Sequence, residues 1–134
     1  MVRTAYSDLG LKATVDTFLA QPWEALEWAD LVVARSGALT ISELSAAGRA
    51  SLLIPFAAAA GNHQEFNARS LERAGGAEVL VEGQAEFERV ASVLTRLLGT
   101  PERLAKMGQS ARSVALPGAA EKIANHLLSI GGEL

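Results

Sequence analysis

The chain has 134 residues, no cysteine, 49% hydrophobic and 20% charged residues, and a formal net charge of −3. This length suits one compact domain, and the apolar fraction excludes an intrinsically disordered protein. The acidic excess and the lack of a dense Lys/Arg cluster exclude a protein that binds nucleic acid through its phosphates. Without cysteine, the sequence has neither a disulfide framework nor a thiolate metal site, which fits a reducing compartment.

The sequence contains no obvious targeting or membrane-spanning segment. The opening residues, MVRTAYSDLG, lack the apolar stretch of a signal peptide. The longest apolar runs, such as residues 50–60, are much shorter than the roughly 18–20 residues of a membrane span. We therefore expect a soluble chain.

The first predicted elements are a helix end, a strand and a short helix. Residues 2–9 resemble the end of a helix, and the alternation from Ala13 to Phe18 predicts a strand. Pro22, at a first helical position, predicts a helix through WEALEWA. Trp23 and Trp28 are expected to lie in a core or an interface.

Three short apolar runs follow, each of strand length: DLVVAR, ASLLIPF and AEVLVE. Such runs are typical of parallel strands that are buried on both faces. A helix through LTISELSAAG ends at Gly48, and a helix over 62–74 ends at Gly75 and Gly76. Helices over 84–98, 101–114 and 118–130 complete the chain, with Pro101 and Pro117 at helix starts. The order predicts an α/β fold, a four-stranded, doubly wound parallel sheet with helices on both faces, as in part of a Rossmann-type domain.

Ligands of such sheets bind beyond the carboxyl ends of the strands, so the strand-to-helix junctions are candidate sites. The first junction is Phe18–Leu19. In the second, Arg35 to Glu43, Gly37 allows close backbone approach and the helix N-terminus attracts a diphosphate. Glu43 could accept hydrogen bonds from both hydroxyls of a ribose. Alternatively, Thr40 to Glu43 is a capping box that stabilises the helix by about 1 kcal/mol, and the pattern alone slightly favours that cap.

The third junction is the loop Ala57–Gly61 and the helix start that follows it. Asn62 is a predicted N-cap, and His63, Gln64 and Asn67 lie in the first turns, where amides can bind sugar hydroxyls. Alternatively, His63 and Gln64 are only solvated first-turn residues, and the pattern alone favours this. His126 is expected on the surface, and two histidines so far apart in sequence make a poor metal site.

Residues 29–80 resemble the C-terminal domain of the MurG-type N-acetylglucosaminyltransferases, glycosyltransferase family 28. The resemblance rests on two motifs separated by a predicted strand. One is R-[SA]-G-A-x-T-x-x-E, here Arg35 to Glu43, and the other is H-Q-x-x-N-A, here His63 to Ala68. Together the motifs are specific, and a looser similarity extends over essentially the whole chain.

The resemblance implies the partial Rossmann-like sheet of a GT-B C-terminal half, which binds the donor UDP-GlcNAc. It implies that Leu19 contacts uracil through its backbone, that Glu43 binds the ribose hydroxyls, and that Gln64 binds the GlcNAc ring. For Glu43 the ribose role is then favoured over the cap, and capping stays an alternative for the ligand-free state. The resemblance implies neither cofactor nor metal, and it places the catalytic base outside this chain. The substrate-binding residues implied in this way are Leu19, Ser36, Gly37, Ala38, Leu39, Thr40, Ile41, Ser42, Glu43, His63, Gln64 and Asn67.

For the whole enzyme the resemblance implies the inverting transfer that converts lipid I to lipid II in peptidoglycan synthesis. The acceptor is a lipid-linked muramyl-pentapeptide, and the enzyme would act in the cytoplasm, at the inner face of the cell membrane. Residues 1–134 would form a single donor-binding domain that lacks the family's first strand, its Gly-rich loop and the acceptor domain. We therefore expect negligible transferase activity from the chain alone.

Two other functional readings remain open. The chain could be a non-catalytic nucleotide-sugar-binding or interaction module, or the donor subunit of a split glycosyltransferase. The open sheet edge that a missing first strand would leave predicts a homodimer or pairing with an acceptor-domain chain.

Overall fold

The computed structural model describes residues 1–131, which form a parallel sheet between two layers of helices. The strands are β1 (Leu31–Ala34), β2 (Ala50–Leu53) and β3 (Ala77–Val79), and short 3₁₀ turns span Ala60–Asn62 and Glu82–Gln84. The helices are α1 (Val2–Asp8), α2 (Pro22–Trp28), α3 (Ala38–Ala47), α4 (His63–Arg73), α5 (Phe87–Leu98), α6 (Pro101–Ser113) and α7 (Ala119–Gly131). None of these helices is both long and apolar enough to cross a membrane.

Strand β2 is the centre of the sheet and is parallel to both of its neighbours. Leu31 of β1 lies opposite Ala50, and Ala77 of β3 lies opposite Ser51. All residues of β2 are buried, as expected for a parallel strand that is covered by helices on both faces. The three apolar runs of the sequence are therefore the three strands, and the predicted α/β class is confirmed.

The helices cover both faces of the sheet, which confirms the doubly wound arrangement. On one face, Leu44 of α3 and Leu71 of α4 pack with Leu53. On the other face, Leu97 of α5 and Met107 of α6 pack with Ala50. Burial of a leucine or methionine side chain stabilises the fold by about 1.5–3 kcal/mol, so these contacts hold the helices in place. Because the strands are parallel, the segments that follow them meet at one edge of the sheet.

The strand predicted from Ala13 to Phe18 is wrong. Residues 11–16 have no regular secondary structure, and in the predicted strand only Val15 is even half-buried. The sheet of the described residues has three strands rather than four. Alternation stabilises a strand only where a neighbour pairs with its backbone. Here the carbonyl of Val15 accepts a hydrogen bond from the Arg3 side chain instead.

Glycine and proline mark most helix ends as predicted. Pro22 and Pro101 are the first helical residues of α2 and α6. Gly48 ends α3 in the left-handed conformation, with φ of +62°. Pro117 is an exception, because it lies in a turn and α7 begins only at Ala119.

The large aromatic and apolar side chains of α2 and α7 are mostly exposed. Trp23 is 57% and Trp28 87% exposed, so the prediction of a core position is wrong for both. Helix α7 contains no buried residue, and its Leu127 and Leu128 are exposed. His126 is exposed, as predicted.

Candidate functional site

Helices α3 and α4 begin at the carboxyl edge of the sheet, α3 after a short loop from β1 and α4 after the longer segment 54–62 from β2. Gly37 occupies the N-cap position of α3, and no side chain caps this helix. The first-turn N–H groups of α3 therefore have no intrahelical acceptor and carry the positive end of the helix dipole. This arrangement can bind an anion such as a phosphate.

The capping box suggested for Thr40 and Glu43 does not form. Helix α3 begins at Ala38, so Thr40 lies inside the first turn rather than at the N-cap. Glu43 lies in the second turn, too far along the helix to cap its start. Its half-buried side chain lines a cavity of about 650 Å³ between α2 and α3, together with Trp23 and Leu26. The carboxylate is therefore available to a ligand, which a capping role would have prevented.

Two hydrogen bonds join the loop after β1 to the first turns of α4. The Ser36 hydroxyl donates to the Gln64 carbonyl at 2.7 Å, and the Asn67 amide donates to the Ser36 carbonyl at 3.1 Å. Ser36 is 0% exposed. The side chains of Ser36 and Asn67 thus fix the position of one helix start relative to the other.

The Gln64 side chain is held by the backbone of the loop after β2. Its Oε1 accepts the Phe56 N–H at 3.0 Å. Since a glutamine amide carries both an acceptor and two donor hydrogens, this bond leaves the Nε2 hydrogens free to donate. Gln64 is half-buried and bonded, so it is not merely a solvated residue.

The start of α4 differs in detail from the prediction. Asn62 occupies the N-cap position, but with φ of +56°; its amide NH₂ donates to Glu65, and its oxygen accepts no capping hydrogen bond from the backbone. His63 is exposed, and its Nδ1 lies 2.5 Å from the Ala60 carbonyl. Because a carbonyl only accepts, Nδ1 is the donor in this contact.

Two charged residues that the sequence did not suggest as site residues support the same edge. Arg35 donates to the carbonyls of Ile54 and Pro55 at 3.1 and 3.2 Å and pairs with Glu82. Glu82 also accepts the Ala57 N–H at 2.9 Å. This bond first, and Arg35 second, hold the pKa of Glu82 below its usual range. No local pattern connects Arg35 to a residue 47 positions later in the chain.

The other predicted site residues lie on α3, at the carboxyl edge of the sheet, except for Leu19. Ala38 and Leu39 are exposed on the first turn of α3, whereas Ile41 packs against the core. The Ser42 hydroxyl donates back to the Ala38 carbonyl at 3.1 Å. Leu19 lines a separate cavity of about 1180 Å³ between the N-terminal segment and α2. Within residues 1–131, no group of histidines and carboxylates is arranged to hold a metal ion.

Comparison with known proteins identifies similar chains along most of the sequence. A family described as the glycosyltransferase family 28 C-terminal domain matches residues 1–123. The UDP-N-acetylglucosamine--N-acetylmuramyl-(pentapeptide) pyrophosphoryl-undecaprenol N-acetylglucosamine transferase of Xanthomonas axonopodis pv. citri is 44% identical over 128 residues. That match covers 96% of this chain and 30% of the relative. The transferase of the same name from Caulobacter vibrioides is 46% identical over 123 residues, which cover 92% of this chain and 34% of the relative.

A solved structure agrees with these sequence matches. The crystal structure of Acinetobacter baumannii MurG superposes with a TM-score of 0.87 at 29% identity, over 95% of this chain and 37% of that chain. The chain thus spans about a third of the length of the curated relatives it matches. The match over residues 1–123, the identity to these transferases and the shared fold show that the chain belongs to the glycosyltransferase family 28 C-terminal domain family.

Proposed function

We propose that this chain is the donor-binding domain of an inverting N-acetylglucosaminyltransferase and binds UDP-GlcNAc at the carboxyl edge of its sheet. The observation that carries the proposal is the uncapped N-terminus of α3, whose preceding loop is hydrogen-bonded through Ser36 to the backbone of Gln64. A nucleotide sugar carries its diphosphate next to its sugar. The helix start suits the diphosphate and the amide suits the hydroxyls.

The diphosphate binds to the N–H groups at the start of α3. Gly37 has no side chain, so phosphate oxygens can approach its backbone closely. When the bond between the anomeric carbon and the diphosphate breaks, negative charge increases on the departing UDP. The positive end of the helix dipole stabilises that charge without reorganisation.

The remaining parts of the donor are bound by residues of three different segments, of which Leu19 lines a separate cavity. Glu43 accepts hydrogen bonds from the ribose hydroxyls, Gln64 donates to the GlcNAc ring, and the Leu19 backbone contacts the uracil. The first-turn residues of α3 and His63 line the same site. Ser36 and Asn67 contribute by holding the two helix starts together.

The complete reaction also requires an acceptor and a catalytic base. The relatives are named as transferases that act on a muramyl-pentapeptide linked to undecaprenyl pyrophosphate. We infer that an acceptor hydroxyl of such a lipid attacks the anomeric carbon and that a base on another domain takes its proton. The product would be lipid II, formed at the inner face of the cell membrane. The chain alone would then bind the donor but turn it over at a negligible rate.

Calorimetric titration with UDP-GlcNAc, UDP-glucose and UDP tests the proposal. Glu43→Ala should weaken the binding of all three ligands, because the ribose is common to them. Gln64→Ala should weaken only the sugar-dependent part of the affinity. A folded chain that binds none of the three ligands would contradict the proposed function.

An interaction module is the second candidate, favoured by the apolar side chains exposed on α7. Ile123, Leu127 and Leu128 are each more than half exposed, and α7 has no buried residue among residues 119–131. A helix of this kind can pair two copies of the chain or join a donor chain to an acceptor-domain chain. Light scattering at several concentrations distinguishes a homodimer from a monomer. Dimerisation without any affinity for UDP would favour the interaction module over the transferase domain.

A further inference from the structure

The loop from Pro55 to Ala57 lies between the candidate sugar-binding amide and an ion pair. On one side, Phe56 donates its N–H to Oε1 of Gln64 at 3.0 Å. On the other side, Ala57 donates its N–H to Glu82 at 2.9 Å. Consecutive backbone N–H groups of one loop are therefore bound to two different side chains.

Arg35 connects Glu82 to the backbone at the start of this loop. It pairs with Glu82 and donates to the carbonyls of Ile54 and Pro55, so it holds both the acid and the start of the loop. Its guanidinium lies 5.7 Å from the centre of the Phe56 ring, within the range of a cation–π contact. Arg35 thus contacts the loop at each residue that precedes Ala57.

The orientation of the Gln64 amide depends on this loop. The Phe56 N–H can donate only to Oε1 of the Gln64 amide and not to its NH₂ group. The position of Phe56 therefore determines that Oε1 faces the loop. A half-turn of the amide would place donor against donor and lose the bond. While the loop holds its place, the Nε2 hydrogens of Gln64 point away from Phe56 and can donate.

The exposure of the ion pair argues that it contributes little to global stability. The Arg35 and Glu82 side chains are 49% and 36% exposed. Exposed ion pairs typically stabilise a fold by no more than about 1 kcal/mol. Three hydrogen bonds to this short loop, with a fourth to the preceding Ile54, are better explained by a need to hold the loop in one position.

We propose that Arg35 and Glu82 are positioning residues for the sugar specificity of this site. They hold the Pro55–Ala57 loop so that Gln64 presents its N–H groups to the hydroxyls of the donor sugar. This inference rests on the proposed role of Gln64. It assigns a function to two residues that do not themselves touch the ligand.

The binding test compares Glu82→Ala with Glu88→Ala. Both changes remove one negative charge, but Glu88 is exposed and makes no ion pair among the described residues. Glu82→Ala should reduce the preference for UDP-GlcNAc over UDP about three- to tenfold, the effect of one misplaced hydrogen bond. The affinity for UDP itself should not change. Glu82→Gln, which keeps an oxygen for the Ala57 N–H, should recover part of the preference.

A ligand-free measurement separates the positioning role from the proposed function. In the nuclear magnetic resonance spectrum, Glu82→Ala should shift the side-chain NH₂ signals of Gln64 and speed the exchange of the Phe56 amide hydrogen. Unchanged signals and an unchanged sugar preference in a folded Glu82→Ala chain would overturn the positioning role. A wild-type chain that binds UDP without any sugar preference would overturn the role proposed for Gln64, whatever its signals show.

Discussion

The Asn67 amide donates a hydrogen bond to the Ser36 carbonyl at 3.1 Å, and through it the first turns of α4 hold the loop that precedes α3. Ser36 is buried, so its carbonyl has little access to water if this bond is lost. Together with the bond from the Ser36 hydroxyl to the Gln64 carbonyl, it sets the spacing of the two helix starts. The geometry of the candidate site therefore depends on the contact between the loop that precedes α3 and the start of α4.

Replacement of Asn67 by alanine should lower the free energy of unfolding by about 1–3 kcal/mol, the cost of an unpaired buried polar group. Urea denaturation followed by circular dichroism measures this change. Asn125→Ala removes the same side chain from an exposed position of α7 and should have little effect. Equal stability of the two variants would show that the Asn67 bond contributes nothing to the fold.

Gly37→Ala should separate ligand binding from stability. At this position φ is −59°, and an added Cβ would meet only Thr40 Oγ1, at an ordinary distance of 3.9 Å. The free energy of unfolding should thus change by less than about 1 kcal/mol. If the diphosphate binds against this backbone, the methyl group should weaken UDP and UDP-GlcNAc binding alike, by about tenfold or 1.4 kcal/mol.

The matched control for Gly37→Ala is Gly131→Ala, at the end of α7, where an added Cβ meets no atom within 4 Å. Calorimetry and thermal unfolding are measured on both variants. A Gly37→Ala chain that binds UDP as tightly as the wild type would place the diphosphate elsewhere.

The fold was predictable where its signals are local. The apolar runs of β1, β2 and β3 and the stop at Gly48 depend on residues close in sequence, and each has its predicted structure. The segment Ala13–Phe18 has an equally local alternation. Whether it forms a strand depends on a pairing neighbour, which no local pattern can supply.

The candidate site residues were suggested by local motifs, whereas their surroundings depend on distant contacts. The two motifs indicated Glu43 and Gln64, and the structure places one in the groove between α2 and α3 and the other beside the start of α3. The capping-box alternative failed because Gly37, rather than Thr40, occupies the N-cap. Glu82 positions Gln64 indirectly, through the Pro55–Ala57 loop and the ion pair with Arg35, and these residues are far apart in sequence. Only the folded chain brings these together.

Acid should destabilise the fold through Glu78. Its carboxylate bonds with Arg96 at 2.6 and 2.9 Å and also pairs with Arg103, and thereby joins β3 to α5 and α6. The Arg96 hydrogen bonds hold the pKa of Glu78 below its usual value of 4.5, and Arg103 lowers it further. The folded-state pKa is thus lower than the unfolded one. The contribution is complete above about pH 4.5 and is lost as the pH falls through the folded-state pKa.

We therefore expect the free energy of unfolding to decline below about pH 4.5 and to decline less steeply in Glu78→Gln. Denaturant titrations at intervals of about one pH unit, from about pH 3 to pH 7, measure how steeply the free energy of unfolding depends on pH. Glu88→Gln, which breaks no ion pair among residues 1–131, should keep the wild-type slope. A Glu78→Gln slope identical to that of the wild type would mean that other carboxylates control the acid transition.

Gly108 of α6 should be the glycine least tolerant of a side chain. An added Cβ would lie 2.5 Å from the Gly48 carbonyl oxygen, which is backbone and cannot rotate away. Alanine there must push α6 away from the turn between α3 and β2, and overpacking of this kind costs about 1–3 kcal/mol. Thermal unfolding of Gly108→Ala should show this loss, whereas Gly131→Ala should not. Gly108 lies near the turn that precedes β2, at the amino ends of the strands, whereas α3 and α4 start at the carboxyl ends. The donor affinity of the folded fraction should therefore be unchanged. A loss of affinity without a loss of stability would contradict this separation of the packing of α6 from the binding edge.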